Sequence, residues 1–135
     1  MIYLDSAAIV KLIRPEAETA DLLDWLNDRL NDVLVSSALT EIEVPRALRR
    51  SDPGRLVGVP TVLAKINKLE IDSAVRATAA AYDDPNLRSL DAIHLASAHS
   101  LVLEGKKLIA FVTYDKRLLA AVSAAGLPVA SPGMN

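Results

Sequence analysis

Asp5 follows the apolar run Ile2-Tyr3-Leu4, and Asp115 follows Leu108-Ile-Ala-Phe-Val-Thr-Tyr. Glu43 lies within Thr40-Glu-Ile-Glu-Val-Pro-Arg-Ala, and Asp91 within Leu90-Asp-Ala-Ile-His-Leu-Ala. These four acids are spaced so that an α/β fold can deliver all of them to one crevice. Carboxylates crowded together repel one another and raise their own pKa values, so such a group points to a multivalent cation that neutralises it. Oxygen-only ligands suit Mg2+, with Mn2+ able to substitute. One or two such ions activate water and offset the charge that develops on a phosphodiester during in-line attack. Hydrolysis of a nucleic-acid backbone is therefore the chemistry this set of residues suggests. The competing reading is a set of unrelated solvated acids, the usual fate of acidic side chains in a domain of this size.

The elements that must position these acids alternate between strand and helix. Ile2 to Leu4 reads as a strand, followed by a helix over Ala7 to Ile13 that Pro15 stops. Ala20, Leu23, Leu26 and Leu30 recur every three or four residues, predicting an amphipathic helix over Glu16 to Leu30, with Trp25 in the core or at an interface. Asp32 to Ser36 reads as a second strand, and Ser37 is placed to cap a helix running to about Arg50, kinked at Pro45. Ser51-Asp-Pro-Gly54 reads as a turn, Leu56 to Asn67 as mixed helix, and Leu69 to Ile71 as a short strand ahead of an Asp72 cap. Helices are predicted over Ala74 to Tyr82, over Ser89 to Glu104 before Gly105, and over Asp115 to Ala125 before Gly126. The clearest strand is Lys107 to Thr113, and Leu127 to Val129 fits an edge strand that tolerates its proline. This alternation implies a mainly parallel sheet covered by helices on both faces. Asp5 and Asp115 then fall at the carboxyl ends of strands, where open α/β sheets bind ligands.

Composition narrows the class further. The 135 residues fit a single domain, and half of them are apolar. The net charge of −2 and pI near 5.6 argue against a bulk electrostatic nucleic-acid binder, so any such contact is local. The absence of cysteine removes disulfides and thiolate metal sites. Without a basic N-terminal start or a long apolar stretch, the chain reads as a complete cytoplasmic protein with no membrane association.

Four segments carry a more specific signal: Met1-Ile-Tyr-Leu-Asp-Ser-Ala-Ala-Ile-Val-Lys-Leu, Ser37-Ala-Leu-Thr-Glu-Ile-Glu-Val-Pro-Arg-Ala-Leu, Leu90-Asp-Ala-Ile-His-Leu-Ala-Ser-Ala and Val112-Thr-Tyr-Asp-Lys-Arg-Leu. In this order they resemble the successive motifs of PIN-domain proteins, and within that family the VapC toxins of toxin–antitoxin pairs. The resemblance covers nearly the whole chain. It implies a PIN-like three-layer α/β/α sandwich spanning residues 1–135. It also implies an endoribonuclease, dependent on Mg2+ or Mn2+, that cuts cellular RNA such as tRNA, rRNA or mRNA to inhibit translation and growth. A VapB-like antitoxin would hold it inactive, and the protein would form a homodimer and a toxin–antitoxin hetero-oligomer. Carried over by motif, the catalytic and metal-site acids are Asp5, Glu43, Asp91 and Asp115. Many PIN domains have a further acid two positions after the last motif aspartate, where this chain has Arg117. That departure removes a ligand from any second ion.

Around the acids, Ser6 serves either as a helix cap or as support for the site, and Thr113 fits the supporting role. Glu41 competes with Glu43, but two residues on a helix point about 200° apart. Glu43 shares a row with Leu39 and Ala47, which points it inward. Arg46 and Arg50 lie on the Glu43 face and are candidates to bind RNA phosphates, as is Arg88 ahead of Asp91; the alternative is a solvated basic face. Lys116 and Arg117 are further candidates for substrate contact. His94 reads as a hydrogen-bonded structural group before a ligand, and His99 as a surface or packing residue. An aspartate-nucleophile phosphatase is disfavoured by Ala7, where such enzymes carry a second aspartate. A PIN domain retained as a catalytically silent binding or scaffold module is the remaining alternative, and the intact set of acids argues against it.

Overall fold

The first strand is buried on both sides. Ile2, Tyr3 and Leu4 are all fully inaccessible, so successive side chains of β1 (Ile2–Leu4) enter two different cores. The computed structural model describes residues 1–134. After β1 come α1 (Ser6–Ile13), α2 (Thr19–Asn27), β2 (Leu34–Ser37) and α3 (Thr40–Ser51). A 3-10 segment (Pro53–Gly58) leads into α4 (Val59–Leu63), β3 (Asn67–Leu69), α5 (Ser73–Ala81) and α6 (Ser89–Leu103). The chain continues with β4 (Ala110–Val112), α7 (Lys116–Ala124) and β5 (Val129–Ala130).

The five strands form one sheet in the order β3-β2-β1-β4-β5, and every pairing is parallel. Tyr3 stands opposite Val35 on one side and Phe111 on the other. One face buries Ile2, Leu4 and Val112 against Ile9 and Ile13 of α1, Leu22 and Leu26 of α2, Val44 and Leu48 of α3, and Leu63 of α4. The opposite face buries Tyr3, Val35 and Phe111 against Leu95, Ala98 and Leu101 of α6 and Leu118 and Val122 of α7. The expected three-layer α/β/α architecture is present. Among the described residues no helix is long and apolar enough to cross a membrane.

Several element bounds differ from those expected, each for a local reason. The second helix is confined to Thr19–Asn27. Thr19 Oγ1 accepts from the Glu16 amide and donates to the Lys11 carbonyl, while Lys11 Nζ holds Glu16 and Glu18 at 3.2 and 2.9 Å. Leu30, which extended the helical pattern, is 80 % exposed. Ser37 does not cap α3; it closes β2, accepting from the Leu39 amide, while Thr40 Oγ1 donates to the Ser37 carbonyl. The helix passes through Pro45, which has no N–H to donate to the Glu41 carbonyl. The third strand is Asn67–Leu69 rather than 69–71, because a polar edge strand shows no apolar alternation to mark its register. Gly105 and Gly126, with φ of +83°, end α6 and α7 as expected.

Candidate active site

Strand order reverses between β1 and β4, with β2 and β3 continuing to one side and β5 to the other. In parallel α/β sheets the crevice beyond the carboxyl ends of strands at such a switch point is the usual ligand site. Asp5 leaves β1 there and Asp115 follows β4, on neighbouring strands running in the same direction.

Each of the four acids also sits at the start of a helix. Asp5 caps α1, its Oδ1 accepting from the Ala8 amide at 2.9 Å. Asp115 caps α7, its Oδ1 accepting from Arg117 and Leu118 amides at 2.8 and 3.2 Å. Glu43 and Asp91 lie in the first turns of α3 and α6. The positive end of a helix favours a nearby negative charge, so four helix starts partly offset the repulsion among the acids.

The inner wall is largely buried and extensively bonded. Asp5 is 5 % exposed; burial raises its carboxyl pKa and Glu43 adds to the rise, while the Thr113 hydroxyl, His94 and the Ala8 amide oppose it. Glu43 Oε1 accepts from Ser6 Oγ at 2.6 Å and from His94 Nε2 at 2.8 Å. Burial works to raise the Glu43 pKa, yet the bonds from His94 and Ser6 hold it below its ordinary value. As an ionised carboxylate accepts only, His94 carries its proton on Nε2, and in the neutral ring Nδ1 accepts from the Tyr3 hydroxyl 2.7 Å away. Tyr3 stacks on Phe111 with ring centroids 4.7 Å apart, and its burial drives the phenol pKa upward. Thr113 is fully buried, its Oγ1 accepting from the Asp115 amide at 3.2 Å.

The outer wall is wet. Asp91 is half-buried, and burial followed by the charges of Asp115, Asp5 and Glu43 raises its pKa, with His94 opposing. Asp115 is exposed. A groove of about 380 Å3 opens beside Glu43, lined by Ser6, Glu43, Arg46, Arg50 and Leu90 among others. Arg46, Arg50 and Arg88 are exposed and engage no acidic partner within ion-pair distance among the described residues. Glu41 is exposed. A larger, mostly apolar hollow of about 650 Å3 between α2, α4 and the β2–β3 edge is lined by none of the four acids.

The structure thus bonds Ser6, Glu43 and His94 together at one strand end, with Asp5, Thr113, Asp91 and Asp115 grouped around them within electrostatic reach. Among the described residues no three acidic or histidine side chains form a ready-made metal cage. The fit to a divalent cation lies in donor type and charge: hard oxygen donors, with Asp91 lifted first by burial and then by the charges of its acidic neighbours. Sequence reasoning assigned no role to Tyr3. Its signal was a phenol in an otherwise aliphatic central strand, where the hydroxyl must find a buried partner.

The fold and site define a small parallel α/β protein with an acidic crevice at its switch point. Residues 2–124 match the PIN domain. The chain is 52 % identical over 133 residues to ribonuclease VapC35 of Mycobacterium tuberculosis, covering 98 % of each protein. Among solved structures, it superposes on Mycobacterium tuberculosis VapC20, a sarcin-ricin loop cleaving toxin, with a TM-score of 0.69 at 17 % identity, covering 98 % of this chain and 100 % of that one. FitAB, solved bound to a DNA fragment, gives a TM-score of 0.62 at 21 % identity, with coverage of 100 % and 97 %. The chain belongs to the PIN-domain family and, within it, to the VapC ribonucleases of toxin–antitoxin systems.

Proposed function

We propose that this chain is an endoribonuclease toxin that depends on Mg2+, with Mn2+ able to substitute, and that residues 1–135 act as one catalytic domain on cellular RNA. The observation that carries the reading is geometric: Asp5 and Asp115 follow adjacent parallel strands at the switch point, and Ser6, next to Asp5, joins His94 in holding Glu43 by Oε1 at the crevice edge. Asp5, Glu43, Asp91 and Asp115 would hold the ion, which supplies water activation and charge neutralisation at the scissile phosphate.

The chain's own residues do the rest. Ser6 and His94 orient Glu43 through Oε1, and the α1 cap with Thr113 fixes Asp5. Arg46 and Arg50 beside the groove, and Arg88 ahead of Asp91, are free to grip RNA phosphates by charge-assisted hydrogen bonds. Cytoplasmic action, a homodimer and inhibition by a VapB-like antitoxin complete the reading. The exposed Leu23, Leu30 and Val33 leave apolar surface for protein contact.

The rival reading is a catalytically silent binding or scaffold module, against which the intact set of four acids argues. A single experiment separates the two. Purified protein is incubated with total cellular RNA in Mg2+, Mn2+ or EDTA, beside an Asp5→Asn, Asp91→Asn double variant. Discrete products that vanish with EDTA and in the variant are expected. Identical behaviour of wild type and variant in every condition would leave the scaffold reading standing.

A further inference from the structure

Two of the acids share an element with a residue that bears on a third. Strand β1 delivers Asp5 and, two positions earlier, Tyr3. Helix α6 delivers Asp91 and, one turn later, His94. Tyr3 and His94 meet at 2.7 Å, and His94 reaches on to Glu43 of α3 at 2.8 Å, where Ser6 of α1 also bonds at 2.6 Å. Both bonds to Glu43 fall on Oε1; Oε2 has no protein hydrogen-bond partner among the described residues. The His94 side chain is 2 % exposed, yet its acceptor is 25 % exposed and stands at the crevice edge. A histidine placed only to satisfy the core would bond inward; this one presents its N–H to a carboxylate facing solvent.

We propose that Tyr3 and His94 are positioning residues: the buried Tyr3 hydroxyl fixes the ring of His94, whose Nε2–H with Ser6 holds Glu43 by Oε1 and keeps Oε2 available to a divalent cation. The inference rests on the reading of Glu43 as a cation ligand. The phenol makes the relay directional. A hydroxyl donating to Nδ1 selects the tautomer that carries its proton on Nε2, the nitrogen facing Glu43. Outer partners of this kind set ligand orientation and tautomer, and their loss weakens metal binding without touching the metal. Because the relay ties β1, α1, α3 and α6 together, it also fixes the elements that bear Asp5, Glu43 and Asp91 relative to one another.

The test is Mn2+ affinity of the full chain by calorimetric titration at constant pH, with thermal melting alongside. Tyr3→Phe keeps the ring on Phe111, 4.7 Å away, and removes only the hydroxyl. His94→Gln can place an amide N–H where Nε2 stood, whereas His94→Asn reaches only the Nδ1 position. Tyr3→Phe is expected to weaken Mn2+ binding roughly 3- to 10-fold, below the 10- to 100-fold typical of a direct outer partner. His94→Gln should bind more tightly than His94→Asn. Lower melting temperatures with wild-type Mn2+ affinity in the variants would make the relay structural only and overturn the proposal. Equal affinities of the Gln and Asn variants would also overturn it. A wild type that binds no Mn2+ would overturn the proposal together with the metal reading beneath it.

Discussion

Asp5 and Asp115 do the same local work in two different media. Each follows one of two adjacent parallel strands and caps the next helix through Oδ1. Asp5 is nearly inaccessible, with its pKa pushed up by burial, while Asp115 is exposed to water. The contrast extends to the whole crevice. On the inner side Ser6, Glu43, His94 and Tyr3 are bound to one another and Asp5 is buried and bonded to the start of α1, so each residue there carries structure as well as site. On the outer side Asp91, Asp115 and the three arginines are held by backbone or left free, so their chemistry is not demanded by the fold. An inner residue that changes should therefore alter stability and activity together, and an outer one whose helix cap is kept should alter activity nearly alone.

Activity gives the largest effect and the first way to break this division. Asp5→Asn and Asp91→Asn are each expected to lower RNA cleavage by about 1000-fold, since several kcal/mol of charge stabilisation depend on the acids and each 1.36 kcal/mol is a factor of ten. Initial rates on a defined RNA at saturating Mg2+ measure this. If Asp91→Asn cleaves at close to the wild-type rate, the outer wall is not part of the site. The stability arm separates the helix cap from the charge. Asp115→Asn keeps a capping side chain and should melt with the wild type, whereas Asp115→Ala loses the cap at a cost of about 1 kcal/mol.

Much of this division was legible in the sequence, and its gaps have physical causes. Acids placed just after apolar runs, with glycines and prolines marking helix ends, gave the alternation of elements and the two strand-end aspartates. The row Leu39, Glu43, Ala47 gave the inward orientation of Glu43, which its bonds to Ser6 and His94 now explain. Edge elements were harder to read. Asn67 and Lys68 form a strand through backbone pairing to β2, so their side chains carry no strand pattern. Leu30 fitted a helical period but is exposed beyond the end of α2. The Tyr3–His94 contact spans 91 positions, and although a phenol in an aliphatic strand calls for a buried partner, nothing near Tyr3 in sequence says which residue that is.

The basic rim offers an intermediate effect. Arg46→Ala and Arg50→Ala should each raise KM for RNA about fivefold with little change in kcat, because an exposed charge contact is modest and binds ground and transition states alike. Both variants should flatten the salt dependence of binding. Arg88→Ala tests the other lip; a drop in kcat at unchanged KM would move Arg88 from phosphate grip to the reacting centre.

The smallest effect is a pH dependence of stability that should differ in sign within the inner wall itself. Asp5 has a raised folded pKa, so between its unfolded value near 4 and that raised value the native state binds more protons. Its ionisation therefore lowers stability as pH rises through that window. Glu43 has a lowered folded pKa, so its contribution is present above its unfolded value near 4.3 and is lost as pH falls through the folded one. Thermal melts at pH 4 and pH 7.5 in EDTA, for wild type, Asp5→Asn and Glu43→Gln, read both terms. Asp5→Asn should gain relative to wild type on going to pH 7.5, since asparagine also caps a helix and is uncharged. Glu43→Gln should lose over the same interval, since the His94 and Ser6 bonds would then reach a neutral acceptor. Parallel shifts in the two variants would mean that Asp5 and Glu43 share one environment. The inner wall would then be a uniform buried patch rather than one strained carboxylate beside one well-held one.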